Sequence, residues 1–265
     1  MRRYVPLAYL GFLVFSPLGT GQTPGTTTPA TSDAAAVLLA QKSIAALTKG
    51  NSVVDVTLTA NVTSIFGSDN EIGTGTFSAK GTMQSRVELR LSGGTRTDVR
   101  SVTNGSPAGA WGKDGAPPTA YANHNCWTDA AWFFPALSSL MQTSNPNFIF
   151  KYIGQEQHGG VATQHIRVFQ TDQQDNGTLQ RLSTSDFYLD TNSAMPVAVG
   201  SYAHADSDMN IDILSEVRFA NYQTVSGIRV PFHLQRMFNG GVVLDVIVTG
   251  VTLNTGLLDR SFILR

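Results

Sequence analysis

The sequence predicts a mainly β, α+β protein: one long antiparallel meander with a helix at its start and a short helix inserted midway. Three observations predict it. From residue 52 onward apolar residues recur at every second position, the period of a half-buried strand. Short turn sequences such as Gly93-Gly94, Asn104-Gly105 and Asn239-Gly240-Gly241 separate these alternating runs. Helical signals, by contrast, are confined to two stretches of the chain.

The chain opens Met-Arg-Arg and continues into an apolar run of about a dozen residues, too short for a typical membrane span. Gly19, Thr20 and Gly21 follow. Charge, apolar run and small residues in that order are the layout of a secretory signal peptide, expected over 1–21 with cleavage after Gly21. Residues 22–32 are rich in Thr and Pro without apolar period and read as a flexible leader. One β domain is expected over 33–265. No cysteine lies near the cleavage site to carry a lipid, so the expected product is exported and soluble, periplasmic or extracellular, and not a lipoprotein. The single cysteine, Cys126, excludes an internal disulfide. No later run approaches membrane-spanning length, so no membrane span is expected after cleavage.

Loss of Arg2 and Arg3 reduces 18 basic side chains to 16 against 19 acidic ones, a net charge of −3. That balance, without clustered Lys and Arg, supplies no footprint for nucleic acid. Charged residues make up 14% of the chain, against about 25% in typical domains. Thr, Ser, Asn and Gln supply the polar strand faces instead.

Ser32 or Asp33 can cap a helix over 34–48, with Ala36, Ala40, Ile44 and Leu47 on one face and Gly50 to stop it. Val54, Val56, Leu58, Ala60 and Val62 then mark a first strand. Strands are expected at 76–80, 86–91, 95–102 and, briefly, 109–112. An irregular loop with Pro117-Pro118 covers 114–125. Trp127, Trp132, Phe133 and Phe134 crowd the approach to a short helix over about 135–142, where Pro135 suits the first turn. Leu137, Leu140 and Met141 form its apolar side. Strands resume at 148–153, 164–169, 185–190 and 196–201, and three long ones close the chain at about 209–222, 228–238 and 242–253. In the second of these Ile228, Val230, Phe232, Leu234 and Phe238 share the even positions. Pro231 marks that point as an edge or a bulge.

Motifs for chemistry are sparse. Asp206-Ser-Asp208-Met-Asn210-Ile-Asp212 resembles the start of a calcium loop, but Ile211 and Val217 stand where Gly and Glu are required. A polar hairpin turn is the plainer reading. His124-Asn-Cys126 lacks the paired spacing of a zinc site, and a lone Cys beside Trp is more often a buried filler. A thiol hydrolase would need a histidine within reach of that sulfur. No nucleophile elbow, metalloprotease helix, phosphate loop or dinucleotide fingerprint occurs. Neither enzyme activity nor a cofactor or metal is expected. The aromatic patch either seals the sheet as core or lids an apolar cavity in it.

Phe187-Tyr-Leu-Asp-Thr-Asn-Ser-Ala-Met-Pro-Val-Ala-Val199 and Val217-Arg-Phe-Ala-Asn-Tyr-Gln-Thr-Val-Ser-Gly-Ile-Arg-Val-Pro-Phe232 have the pattern of strand, turn and strand in the LolA-like superfamily of bacterial periplasmic proteins. The final run from Val251 to Phe262 is similar to that family too. The family includes lipoprotein carriers and sigma-regulatory proteins of the RseB type. The resemblance is sequence-level over 185–262 and architectural before that. It implies a highly curved sheet, an open unclosed β-barrel plugged by helices around an apolar cavity. It implies a carrier-like protein that binds a lipid or an acylated lipoprotein without catalysis. The carrier family's working arginine has no identifiable counterpart here. The expected cavity wall and lid are Trp111, Trp127, Trp132, Phe133, Phe134, Leu137, Leu140 and Met141. The alternative is an envelope scaffold or stress sensor that binds another envelope protein through its sheet.

Overall fold

The computed structural model describes residues 30–172 and 177–264. The expected signal peptide, and the leader apart from its last three residues, lie outside the described residues. Helix α1 spans Ala34–Thr48 and buries Ala36, Ala40, Ser43 and Leu47. Lys49 and Gly50, with φ of 50° and 83°, end it. Asp33 occupies the N-cap position, but its carboxylate does not cap the helix. It accepts instead from Lys151 Nζ at 2.9 Å and Tyr152 N at 3.1 Å. The start of the helix is thereby tied to a strand far along the chain.

The strands are β1 (Asp55–Phe66), β2 (Asp69–Lys80), β3 (Gln84–Leu91), β4 (Gly94–Thr103), β5 (Ser106–Lys113), β6 (Thr119–Ala120), β7 (Phe148–His158), β8 (Val161–Gln170), β9 (Ser185–Asp190), β10 (Pro196–Ala205), β11 (Asp208–Val225), β12 (Ile228–Phe238) and β13 (Gly241–Leu253). They form one antiparallel sheet of order β6-β5-β4-β3-β2-β1-β13-β12-β11-β10-β9-β8-β7. The sheet is highly curved and unclosed. The first long strand pairs with the last, from Val56 opposite Leu253 to Ser64 opposite Leu244. The chain therefore runs outward from the centre to β6 and must return from the far edge at β7. Residues 121–147 make that crossing, so topology places the aromatic segment across the sheet.

Alternation buries Val56, Leu58, Ala60 and Val62 of β1, with Phe77 of β2, Val246 of β13 and Val230 and Leu234 of β12. Phe133, Phe134 and Leu137 of the crossing segment join that cluster. A second cluster joins Ala36 and Ala40 of α1 to Leu140, Phe150, Ile166 and Phe187. Val54, expected on the inner face, is exposed because β1 begins one residue later.

The helix expected over 135–142 is two 3-10 turns, Pro135–Leu137 and Ser139–Gln142. Ser138 divides them: its backbone is extended and its hydroxyl donates to the Pro135 carbonyl at 2.7 Å. A six-residue helix α2, Thr178–Ser183, was not expected, being too short to show a period. Several strands, notably β2, β7 and β10, run beyond their expected ends as hairpins whose polar tips carry no alternation. Pro231 lies on the part of β12 that pairs with β11 alone, since pairing with β13 starts at His233. The missing N–H therefore breaks no ladder there.

Candidate functional site

Two adjoining cavities of about 480 and 340 Å³ lie where the crossing segment meets the sheet. Asp98, Tyr121, Trp132, Arg236 and Phe238 line both and form their junction. The smaller cavity is walled by Val87, Leu89, Trp111 and Leu244, with Arg96 and Lys113 beside them. The larger runs past Arg100, Asp129, Phe187, Val217 and Phe219.

The eight residues expected at the wall separate into two groups. Trp132 lines both cavities and Trp111, 43% exposed, lines the smaller. Trp127, Phe133, Phe134, Leu137, Leu140 and Met141 line neither. Phe133 and Phe134 are fully buried, and Leu137 and Leu140 belong to the core clusters. Trp127 contributes its carbonyl, which accepts from Gln170 Nε2 at 3.3 Å. One aromatic run thus serves both: Trp132 faces the cavities, while Phe133 and Phe134 pack in the core.

The trough is also more polar than expected. Arg236, on β12, occupies the even position between Leu234 and Phe238, and its cross-strand neighbours are Val217 and Leu244. Its guanidinium carbon lies 4.7 Å from the Trp132 ring centre and 5.1 Å from that of Phe238. Burial pulls its pKa down, and the charge of Asp98 acts against that. Its Nε is shielded from solvent and has no hydrogen-bond partner among the described residues. The Tyr121 hydroxyl donates to the Asp98 carboxylate, and burial, reinforced by Asp98, pushes the phenol far above its ordinary range. Asp129 accepts from Ser139 N at 2.9 and 3.0 Å and from its hydroxyl at 3.0 Å. Burial outweighs those bonds and raises its carboxyl to about 6. These polar residues were missed although the sequence carries a trace of them. Arg96, Asp98 and Arg100 alternate on one strand, and Arg236 interrupts the even-numbered apolar series of β12.

The crossing segment is fastened at both arms. Tyr121 N donates to Gly109 O at 2.9 Å on β5. On β10, Asn125 receives from His204 N at 2.8 Å and donates to His204 O at 2.8 Å. Cys126 is buried, its thiol pushed up by that burial, and its sulfur faces the Ala122 carbonyl at 3.9 Å. The five histidines meet other partners: His124 the Ala205 carbonyl, and His158, His165, His204 and His233 the carboxylates of Glu216, Asp186, Asp212 and Asp245. Among the described residues no three His, Cys, Asp or Glu side chains are placed to hold a metal ion. The run from Asp206 to Asp212 forms the hairpin between β10 and β11.

No family model matches the chain, and no curated protein matches it. Solved structures do. A Vibrio parahaemolyticus domain named for outer membrane lipoprotein sorting aligns at TM-score 0.54 and 14% identity, over 86% of this chain and 96% of that one. A LolA superfamily protein of Nitrosomonas europaea aligns at 0.51 and 11%, over 86% and 97%. The fold is LolA-like. A DUF1329 family protein of Desulfovibrio piger matches it too, at TM-score 0.54 and 10% identity over 86% and 95%. At such identities the likeness is one of fold. The residues that carried the sequence resemblance are structural within the LolA-like sheet. Asp190, the last residue of β9, receives Asn192 N at 3.1 Å and Ser193 N at 2.7 Å, and so shapes the turn before Pro196.

Proposed function

We propose that the protein is an exported, non-catalytic binder of an apolar ligand, a lipid or the acyl chain of an acylated protein, held in the trough. The observation that carries this reading is the pair of adjoining cavities, about 480 and 340 Å³, of which the smaller has largely apolar walls. Their size suits a small-molecule site. Burial of an acyl chain there gains about 0.8 kcal/mol per methylene. Trp111 and Trp132 touch the ligand, while Phe133, Phe134, Leu137 and Leu140 anchor the crossing segment as its lid. Trp127 and Met141 flank that anchor. The lipoprotein-sorting name of the Vibrio domain agrees with this reading.

Native mass spectrometry of the protein purified from the cell envelope tests it. A strippable added mass of lipid size supports the reading, as does loss of that mass in the Trp111→Ala, Trp132→Ala double variant. A bare protein mass, with no uptake of offered fatty acid or phospholipid, removes it.

One observation favours a protein partner instead. β7 ends the sheet, and Ser32 and Asp33 cover its free edge only as far as Tyr152. Beyond them Ile153 is 49% exposed, and an added strand can pair there. A bare mass together with a co-purifying envelope protein would favour that reading.

A further inference from the structure

We propose that the ligand is an amphiphile with an anionic head, and that Arg236 receives this head at the junction of the two cavities. The inference rests on the lipid-binding reading and narrows it to a ligand class.

A cation on the core face of a central strand is costly unless it is paired. Arg236 takes part in no salt bridge among the described residues. The carboxylate that faces it, Asp98, is occupied by the Tyr121 hydroxyl. Trp132 and Phe238 hold the guanidinium through their rings. Ring contacts attract the charge of the cation but supply no lone-pair acceptor for its N–H donors. Arg236 Nε is such a donor, shielded and unbonded. The fork of donors matches a carboxylate or a phosphate.

Charge also orients the ligand. In the smaller cavity Arg96 is engaged by Glu71. Arg236 and Lys113 then stand against the single carboxylate of Asp98. The larger cavity adds the carboxylates of Asp129 and Asp206 against Arg100 and is the poorer place for an anion. The head therefore sits at Arg236, and the tail runs between Val87, Leu89, Trp111 and Leu244.

Three ligands sharing one sixteen-carbon chain test this on the full mature protein: palmitate, 1-palmitoyl lysophosphatidate and neutral hexadecanol. Wild-type protein should bind one or both anions roughly tenfold or more tighter than the alcohol. Whichever anion is tighter identifies carboxylate or phosphate as the head. Arg236→Gln should lose the preference, its affinity for the tighter anion falling roughly tenfold toward that of hexadecanol. Arg236→Lys, which keeps the charge but not the fork, should retain part of it. If Arg236→Gln does not fold, Arg236→Lys is decisive: an anion-over-hexadecanol preference reduced severalfold supports the inference, and an unreduced one overturns it. Equal binding of all three ligands by wild type, or a full preference in folded Arg236→Gln, overturns the anionic head and leaves the lipid reading standing. Binding of none of the three overturns both.

Discussion

Phe133 meets Phe77 edge-on, with ring centres 5.4 Å apart. Its neighbour Trp132 reaches the same Phe77 at 6.0 Å but also forms part of both cavity walls. Adjacent aromatics therefore carry different loads. Phe133→Ala should destabilise the fold by about 3–5 kcal/mol, the range for a fully buried aromatic. Trp132→Ala should lose less stability and more ligand. Guanidinium unfolding and lipid uptake measured on both variants check this, and equal losses on both scales would remove the distinction.

Asp55 ties the end of the chain to its first strand. Its carboxylate receives Thr255 N at 2.8 Å, Gly256 N at 2.9 Å and Leu257 N at 3.2 Å, with the Thr255 hydroxyl at 3.1 Å. Burial pushes its carboxyl up, and these donors more than offset that, for a net lowering. A lowered carboxyl stabilises the fold above its ordinary value of 3.8 and loses that contribution as the pH falls further. Asp55→Ala should cost roughly 2–4 kcal/mol at neutral pH. Asp55→Asn, which keeps one acceptor, should recover part of it. The gap between Asp55→Ala and wild type in denaturant titrations should narrow as the pH falls below 4.

Asp129 has the opposite sign. A carboxyl raised to about 6 binds its proton more tightly in the folded chain. Its contribution is full below the ordinary value of 3.8 and is lost as the pH rises through about 6. Asp129→Asn mimics the protonated form and retains an acceptor for Ser139 N. It should match wild type near pH 4 and exceed it at pH 7.5 by about 2–3 kcal/mol. Thermal unfolding at the two pH values reads this directly. A variant weaker than wild type at both would mean that the ionised carboxylate is needed.

Cys126 should react slowly with a thiol-specific disulfide reagent in the native protein and completely in guanidinium, because its sulfur is buried and its thiol is pushed up. Rapid native labelling would return Cys126 to consideration as a nucleophile.

Strand positions were legible because alternation is local. The runs containing Val56, Leu58, Ala60 and Val62, or Ile228, Val230 and Leu234, need no knowledge of their neighbours to be recognised as one-sided. The helix over 34–48 was legible for the same reason. The split at Ser138 was not, since it depends on one side-chain hydrogen bond. Nor was the fate of Asp33: a capping residue by type, it is drawn to Lys151 and Tyr152 by the packing of α1 beside β7.

The candidate site was legible only as an aromatic patch. Trp132 and Phe133 are alike in sequence, and only their directions across the sheet make one a wall and the other core. Arg236 was concealed by distance. Its rings come from residue 132 on the crossing segment and residue 238 on its own strand, and its facing carboxylate from residue 98. Residue pattern sets which stretches extend and which face each turns inward, because both follow from backbone period and side-chain solubility. The order of thirteen strands, with the first against the last, sets which of those faces meet and where they leave a space. That order is a long-range pairing, and it alone forces residues 121–147 across the sheet and assembles the trough beneath them.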